Sequence, residues 1–213
     1  MKRPRVLLAD DHVIVAEGLR GLLETEFELV GTVQDGCAML EAVERLEPDV
    51  IVADISMPLL NGIDAVRKIK KNGKDIKVVF LTMHPDVAYA ASAFDAGALG
   101  YVLKHSAPSE LITAIQSALK GEKYVTPLIS RDLTKFYKDG SCEKREEQTQ
   151  LTPRQREVLQ MLVEGHSARD IAMALQISPR TVEFHKYRMM EDLSMKTVAE
   201  LIRYAVNMGI VTK

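Results

Sequence analysis

Five short runs of aliphatic residues recur through the first half of the chain, and each is followed by a segment with apolar residues at three- and four-residue spacing. The runs are residues 5–9, 28–33, 49–53, 77–82 and 100–104. Continuous apolar runs are typical of strands buried on both faces, and the spacing between the runs indicates amphipathic helices. This alternation predicts an α/β domain in which helices cover a doubly wound, five-stranded parallel sheet.

Polar and charged residues stand where these predicted strands end. They are Asp10 and Asp11 after the first strand, Asp54 after the third, Thr82 at the fourth and Lys104 at the fifth. Ligands of open α/β sheets bind at the carboxyl ends of the strands, so we expect these side chains to form one site. Any one of them alone is more typical of a solvated loop aspartate or a surface lysine. Together they suit Mg²⁺ and phosphate, with one carboxylate free to act as a nucleophile and form an acyl phosphate.

Residues 1–122 resemble the receiver domain of two-component response regulators. The resemblance is carried by Asp10-Asp11, DISMPLLNG at 54–62, Thr82, and YVLK ending at Lys104. It implies a flavodoxin-like sheet of strand order 2-1-3-4-5 and phosphoryl transfer from a sensor histidine kinase to Asp54. It further implies a Mg²⁺ cofactor held by Asp11, Asp54 and the backbone carbonyl of Ser56, with Asp10 acting mainly through a bound water. The cation would neutralise the adjacent aspartates. Lys104 and Thr82 would contact the phosphoryl oxygens.

The same resemblance assigns a signalling role to Tyr101, three residues before Lys104. In the family, the threonine swings inward and an aromatic on the fifth strand moves into a buried position, which reshapes the face formed by the fourth helix, fifth strand and fifth helix. The alternative is that Tyr101 is a strand residue packed on a helix. Ser56 and His84 match family positions that tune the access of water to the acyl phosphate.

Composition and charge divide the chain into two parts. Residues 151–213 carry nine Lys and Arg against seven Asp and Glu, whereas residues 1–140 carry 17 against 20. The segment 138–150 has a single apolar residue and reads as a solvated linker. We therefore predict a receiver domain at 1–122, a linker at 123–150 that is partly helical and then charged and flexible, and a second domain at 151–213.

The sequence lacks features of a secreted, disulfide-rich or membrane-spanning chain. No apolar run is long enough for a membrane span, and the apolar stretch near the N-terminus soon meets acidic residues. Cys37 and Cys142 show no metal-binding spacing and read as plain thiols. We expect a cytoplasmic protein without a membrane partner.

Four helices are predicted after residue 150, and capping residues mark the start of the first three. Thr152, Pro153 and Gln155 open the first, which ends near Glu164 before Gly165. Ser167 starts the second, which reaches about Leu175. Ser178 and Pro179 open a third that runs to about Leu193, and a fourth ends at Gly209. Two helices joined by a short turn are the helix-turn-helix pattern.

This segment is similar to the LuxR-type helix-turn-helix of the NarL/FixJ response regulators. The resemblance implies that the helix at 179–193 enters the major groove of double-stranded promoter DNA. Helical periodicity places Val182, Met189 and Leu193 in the core. The expected DNA-contacting residues are Arg180, Thr181, Glu183, Phe184, Lys186, Tyr187 and Arg188. Phe184 and Ser194 depart from the family pattern, which has a small polar residue and glycine there, so Phe184 is alternatively an interface residue.

The small positive charge of the second domain indicates weak DNA binding by one copy, so we expect a homodimer when the protein is phosphorylated. Candidate dimerisation residues on the fourth helix are Val198, Leu201, Ile202 and Ala205. The alternative is that this helix only completes the domain core.

The sequence thus predicts a phosphorylation-controlled transcription factor and not an enzyme. One alternative is a DNA-binding protein that dimerises constitutively or answers another ligand, but the intact acidic pair, Thr82 and Lys104 argue against it. Another is a phosphatase-like enzyme that uses Asp54 catalytically. Such an enzyme usually has an acidic residue two positions after the nucleophile, where this chain has Ser56.

Overall fold

The computed structural model describes residues 3–106, 108–138 and 151–207. In those residues it contains six strands and ten helices, numbered here in chain order. The strands are β1 (Arg5–Ala9), β2 (Glu28–Val33), β3 (Val50–Ala53), β4 (Lys77–Thr82), β5 (Gly100–Leu103) and β6 (Tyr124–Val125). The helices are α1 (Val13–Leu23), α2 (Gly36–Leu46), α3 (Gly62–Lys71), α4 (Val87–Asp95), α5 (Pro108–Leu119), α6 (Pro127–Lys138), α7 (Pro153–Val163), α8 (Ala168–Ala174), α9 (Pro179–Asp192) and α10 (Val198–Asn207).

The six strands form one parallel sheet of order β2-β1-β3-β4-β5-β6. The five predicted strands and their order are confirmed. The sheet has one more strand than the sequence predicts, because Tyr124 and Val125 pair with Gly100 and Tyr101 of β5. A two-residue strand is too short to show a period in the sequence.

Apolar cores lie on both faces of the sheet. Alternate residues of β1 point to opposite faces: Leu7 packs in the core covered by α2, α3, α4 and α6, and Leu8 packs in the core covered by α1 and α5. This two-sided burial explains why the strands read as continuous apolar runs.

Helix α6 packs on the same face of the sheet as α4. Ile129 and Leu133 of α6 are buried in the core that also contains Phe94 of α4. The helical part of the predicted linker therefore lies against the sheet. Residues 139–150, which make up nearly all of the charged segment predicted to be flexible, lie outside the described residues.

Three of the four C-terminal helices begin at the predicted caps. Thr152 and Gln155 form a capping box at α7, Ser167 and Asp170 form another at α8, and the Ser178 side chain accepts from the backbone N–H of Thr181 at α9. The predicted ends of α8 and α9 agree with the structure, and Gly209 lies outside the described residues. In the part of the chain that the structure describes, no helix combines the length and apolarity needed to cross a membrane.

Candidate functional site

The carboxyl ends of β1, β3, β4 and β5 meet at one edge of the sheet and bring the predicted residues together. Asp54 follows β3, and its backbone N–H donates to the Ala9 carbonyl of β1 at 2.8 Å. Lys104 follows β5, and its backbone N–H donates to the Thr82 carbonyl of β4 at 2.8 Å. Ladder-type hydrogen bonds therefore hold the backbones of neighbouring site residues in register.

The Lys104 ammonium bridges two buried carboxylates. Its Nζ lies 2.7 Å from Asp54 Oδ2 and 2.8 Å from Asp10 Oδ2. Asp54 and Asp10 are 3% and 1% exposed. Because buried charges are stable only when paired, this ammonium neutralises the carboxylates that would otherwise repel each other.

Burial and neighbouring charges shift the pKa values of Asp54 and Lys104. Burial raises the pKa of Asp54 above its ordinary value, and the nearby Asp10 raises it further, against the hydrogen bond from Lys104. Burial lowers the pKa of Lys104, but its hydrogen bonds to Asp10 and Asp54 more than offset that effect, so the pKa is raised overall. Lys104 therefore stays protonated at neutral pH, whereas the negative charge on Asp54 is disfavoured.

The donor set around Asp54 fits a divalent cation. One ligand atom from each of Asp10, Asp11, His12 and Asp54 can be chosen so that all lie within 4.8 Å of one another. Asp11 Oδ1 is buried and has no hydrogen-bond partner among the described residues. The Ser56 backbone N–H donates to Asp54 Oδ1 at 3.3 Å. Carboxylate oxygens are the ligands that Mg²⁺ prefers, so the residues present suit the predicted cofactor.

A hydrogen-bonded chain runs from this site to Tyr101. The Ser56 hydroxyl lies 2.7 Å from His84 Nε2, the His84 backbone N–H donates to Thr82 Oγ1 at 3.3 Å, and the Tyr101 hydroxyl donates to the His84 carbonyl at 2.9 Å. Tyr101 is fully buried, and burial raises the pKa of its hydroxyl. The sequence placed Ser56 and His84 near the site but gave no sign that they contact each other or that His84 binds Tyr101.

Tyr101 is also joined to the start of α6. The Thr126 backbone N–H donates to the Tyr101 carbonyl at 3.0 Å, and the Thr126 hydroxyl accepts from the Leu103 backbone N–H at 3.2 Å. Thr126 directly precedes α6. The backbone around Tyr101 is therefore connected by hydrogen bonds to the first residue before that helix.

The predicted recognition helix, α9, presents two exposed aromatic rings. Phe184 and Tyr187 are 63% and 62% exposed, whereas Val182 and Met189 are fully buried, as the helical period predicts. Lys186 pairs with Glu183 at 2.5 Å and lies 5.1 Å above the Tyr187 ring.

The remaining predicted DNA-contacting residues are either exposed or held by local contacts. Arg188 lies 3.4 Å from Glu191 and 3.3 Å from Asp192. Arg180 is exposed, and the Thr181 hydroxyl lies 2.8 Å from the Ser178 hydroxyl at the helix cap. In this arrangement the cations of α9 are partly neutralised by neighbouring acidic residues.

Two of the four candidate dimerisation residues are core residues, which corrects the prediction. Leu201 and Ala205 are fully buried in the C-terminal core and cannot contribute contact area without opening it. Val198 and Ile202 are half-buried. An amphipathic pattern on α10 identified the apolar face but could not separate core from surface positions.

The receiver contacts α7 through α3 and the loop before it. Lys68 Nζ lies 2.6 Å from Glu157 Oε1, and Arg156 Nε lies 3.4 Å from Asp64 Oδ1. The Leu59 backbone N–H donates to Glu164 Oε2 at 3.4 Å, and its side chain packs on the C-terminal core. The exposed rings of α9 are not covered by this contact.

Comparisons with known proteins agree with this architecture. The family model of the response regulator receiver domain matches residues 6–116. The family model of the bacterial regulatory proteins of the luxR family matches residues 149–205. The chain belongs to the response regulators with a LuxR-type DNA-binding domain. It is 37% identical to the transcriptional regulatory protein MctR of Rhizobium johnstonii over 98% of this chain and 96% of MctR.

Other response regulators are similar along nearly their whole length. The chain is 32% identical to the response regulator UvrY of Escherichia coli over 96% of this chain and 94% of UvrY. A structure of the RcsB response regulator of Salmonella typhimurium matches with a TM-score of 0.67 at 29% identity, covering 98% of this chain and 99% of RcsB. A structure of the RcsB–DNA complex matches with a TM-score of 0.60 at 30% identity, covering 95% of this chain and 98% of RcsB. This response regulator is a DNA-binding protein that controls transcription.

Proposed function

We propose that this response regulator accepts a phosphoryl group on Asp54 from a sensor histidine kinase, with Mg²⁺, and that this phosphorylation controls its binding to promoter DNA. The observation that carries the proposal is the buried Asp54 carboxylate, held between Asp10 and the Lys104 ammonium. In the transfer, a carboxylate oxygen of Asp54 attacks phosphorus. The new oxygen–phosphorus bond forms as the phosphorus–nitrogen bond of the donor phosphohistidine breaks.

The residues around Asp54 have separate roles in this transfer. Asp10, Asp11, Asp54 and the backbone carbonyl of Ser56 would hold Mg²⁺, which neutralises charge on the carboxylates and on the phosphoryl oxygens. Lys104 would pair with a phosphoryl oxygen as a point charge, and a bound Mg²⁺ would supply neutralisation of the carboxylates. The buried Thr82 hydroxyl donates to a second phosphoryl oxygen.

The signal leaves the site through Thr82, His84 and Tyr101. When Thr82 turns toward the phosphoryl group, its hydroxyl is withdrawn from the His84 backbone N–H, and His84 carries the acceptor for Tyr101. A phosphoryl group adds about −1.5 to −2 charge at neutral pH, which is enough to bias a two-state element. Thr126 and the packing of α6 on α4 then carry the change toward the second domain.

The second domain binds double-stranded DNA with α9 in the major groove. Lys186, Arg180 and Arg188 would contact phosphates and set affinity and register, with Thr181 at the start of the helix. Glu183 would accept from cytosine N4, and the exposed rings of Phe184 and Tyr187 would meet thymine methyl groups. A phosphorylated homodimer would place two such helices on paired half-sites.

The proposal assigns a separate role to each of three segments of the chain. Residues 1–122 form the receiver, 123–150 the linker, and 151–213 the DNA-binding domain of a cytoplasmic protein that acts only on its own phosphoryl group. The Ser56 hydroxyl, 2.7 Å from His84 Nε2, offers no carboxylic acid for a phosphatase-like reaction.

Phosphotransfer is tested by incubating the full chain with a purified histidine kinase or acetyl phosphate and Mg²⁺, then measuring intact mass. We expect one added phosphoryl group that hydroxylamine removes, since an acyl phosphate reacts with that nucleophile. Asp54→Asn should remain unmodified, and the exposed Asp132→Asn should behave as wild type. Normal phosphorylation of Asp54→Asn would contradict the assignment.

Dimerisation is tested by sedimentation velocity in Mg²⁺, with and without beryllofluoride as a phosphoryl mimic. We expect a shift from monomer to dimer in wild type that is lost in Asp54→Asn. An unchanged mass of wild type would contradict phosphorylation-dependent dimerisation.

A further inference from the structure

His12 lies beside the proposed cation site, and the family resemblance assigns no role to it. Its Nδ1 is 2.8 Å from Asp11 Oδ1 and 3.4 Å from Asp10 Oδ1. His12 is the N-cap residue of α1, but within the described part of the chain its side chain makes no capping hydrogen bond. The ring therefore faces the carboxylates and does not satisfy the helix N-terminus.

The Asp11 carboxylate supplies a second observation. Asp11 Oδ1 is buried and lacks a hydrogen-bond partner among the described residues, even though His12 Nδ1 is near. The contact between these atoms is thus close without the alignment of a hydrogen bond. A cation between them would satisfy both lone pairs at once.

The spacing of these atoms matches that of adjacent metal ligands. Two ligands about 2.1 Å from a cation and at a right angle to each other are about 3.0 Å apart. The separations from His12 Nδ1 to the carboxylate oxygens of Asp11 and Asp10 lie on either side of this value. The His12 side chain is 60% exposed, so its ring can adjust without disturbing the core.

We propose that His12 donates an imidazole nitrogen to the cation at this site and shifts the preference of the site toward Zn²⁺ and other late first-row divalent metals. The inference rests on the proposed function, because the carboxylate ligands are those assigned to Mg²⁺ there. Imidazole is a good ligand for Zn²⁺, Ni²⁺ and Co²⁺, whereas Mg²⁺ gains little from nitrogen. Without His12, the site would offer oxygen ligands alone.

The coordination is tested directly with Mn²⁺ as a paramagnetic probe. Electron spin echo modulation of Mn²⁺ bound to the full chain should show coupling to ¹⁴N of an imidazole. The coupling should disappear in His12→Ala and persist in His84→Ala, which removes the imidazole next to Ser56. Coupling that persists in His12→Ala, or that is absent from wild type with bound Mn²⁺, would overturn the proposal.

The preference is tested by competition against bound Mn²⁺, followed through the signal of the free ion. His12→Ala should weaken Zn²⁺ binding about tenfold relative to Mg²⁺ binding. An unchanged ratio of Zn²⁺ to Mg²⁺ affinity in His12→Ala would overturn the proposal.

A separate variant distinguishes failure of the proposed cation site from failure of the inference. Asp11→Asn should weaken the binding of every cation. Equal Mn²⁺ binding by wild type and Asp11→Asn would contradict both the proposed Mg²⁺ site and the role of His12. Weakened Mn²⁺ binding in Asp11→Asn, without nitrogen coupling in wild type, would overturn the role of His12 alone.

Discussion

Lys104 is the cation that holds two buried carboxylates together, and replacing it with methionine tests that role. Its Nζ lies 2.7 Å from Asp54 Oδ2 and 2.8 Å from Asp10 Oδ2. At an effective dielectric constant of about 20, a pair of unit charges at this separation attracts by about 6 kcal/mol. Methionine avoids the desolvation of the ammonium but leaves the carboxylates unpaired. We therefore expect Lys104→Met to lower the free energy of unfolding by about 3 kcal/mol at neutral pH without Mg²⁺.

The loss should be reversed by anything that removes the repulsion. Mg²⁺ neutralises the same carboxylates, so it should stabilise Lys104→Met more than wild type, in which the ammonium competes for those oxygens. Asp54→Asn in the Lys104→Met background should also recover part of the loss, because fewer buried negative charges then remain at the site.

Urea unfolding of the full chain, followed by circular dichroism in EDTA and in saturating Mg²⁺, measures these differences. Lys120→Met is the matched control, since Lys120 is exposed directly after α5 and should change the stability by less than about 0.5 kcal/mol. If Lys104→Met lost the same free energy with and without Mg²⁺, and Asp54→Asn recovered none of it, the loss would come from packing. That result would contradict a charge-pairing role of Lys104.

Other contacts give further predictions. Because burial raises the pKa of Asp54, its ionised form opposes folding, and Asp54→Asn should resist urea better than wild type at neutral pH. This advantage should begin to shrink as the pH falls through the raised folded-state pKa and should vanish below the ordinary pKa of the unfolded chain. Lys186→Ala should weaken binding to all duplexes alike and reduce the slope of log affinity against log salt by about one, measured by fluorescence anisotropy. Ser194 has a φ of 55°, so Ser194→Gly should raise the free energy of unfolding by about 0.5 kcal/mol in thermal unfolding. Lys68→Ala removes the 2.6 Å pair with Glu157; because Lys68 is 43% exposed, it should weaken the contact between the domains by less than about 1 kcal/mol, seen as faster hydrogen exchange in α7.

Each of these predictions has a result that would contradict it. For Asp54→Asn, it is a greater resistance to urea than wild type that persists at low pH. For Lys186→Ala, it is weaker binding to one DNA sequence while other sequences bind as before. For Ser194→Gly, it is a lower free energy of unfolding than wild type. For the contact between the domains, Lys71→Ala is the control, since Lys71 is exposed on the same helix. Equal exchange rates in Lys68→Ala and Lys71→Ala would contradict a stabilising role of the Lys68–Glu157 pair.

The sequence predicted the sheet because its strands are buried on both faces. Continuous runs such as residues 77–82 stand out from the amphipathic segments around them, and the strand borders agree with the structure within one residue. The pairing of Tyr124 and Val125 with β5 depends on tertiary contacts that leave no periodic signal. The starts of three C-terminal helices were predictable because each follows a typical N-cap residue, namely Thr152, Ser167 or Ser178.

The location of the candidate site was also predictable, but several of its contacts were not. Parallel strands bring their carboxyl ends to one edge, which is why Asp10, Asp54 and Lys104 meet. The Ser56–His84 hydrogen bond depends on side-chain orientation, and the Lys68–Glu157 pair depends on how the two domains pack. Neither side-chain orientation nor domain packing can be predicted from the local sequence pattern.

Phosphorylation control is tested most directly by measuring DNA affinity as a function of the state of Asp54. A duplex selected in vitro with the beryllofluoride-loaded protein is labelled and titrated at fixed salt with wild type and Asp54→Asn, each with and without beryllofluoride in Mg²⁺. We predict that the mimic tightens binding by wild type at least about fivefold and leaves the affinity of Asp54→Asn unchanged. Equal affinities of wild type with and without the mimic would contradict the claim that a phosphoryl group on Asp54 controls DNA binding.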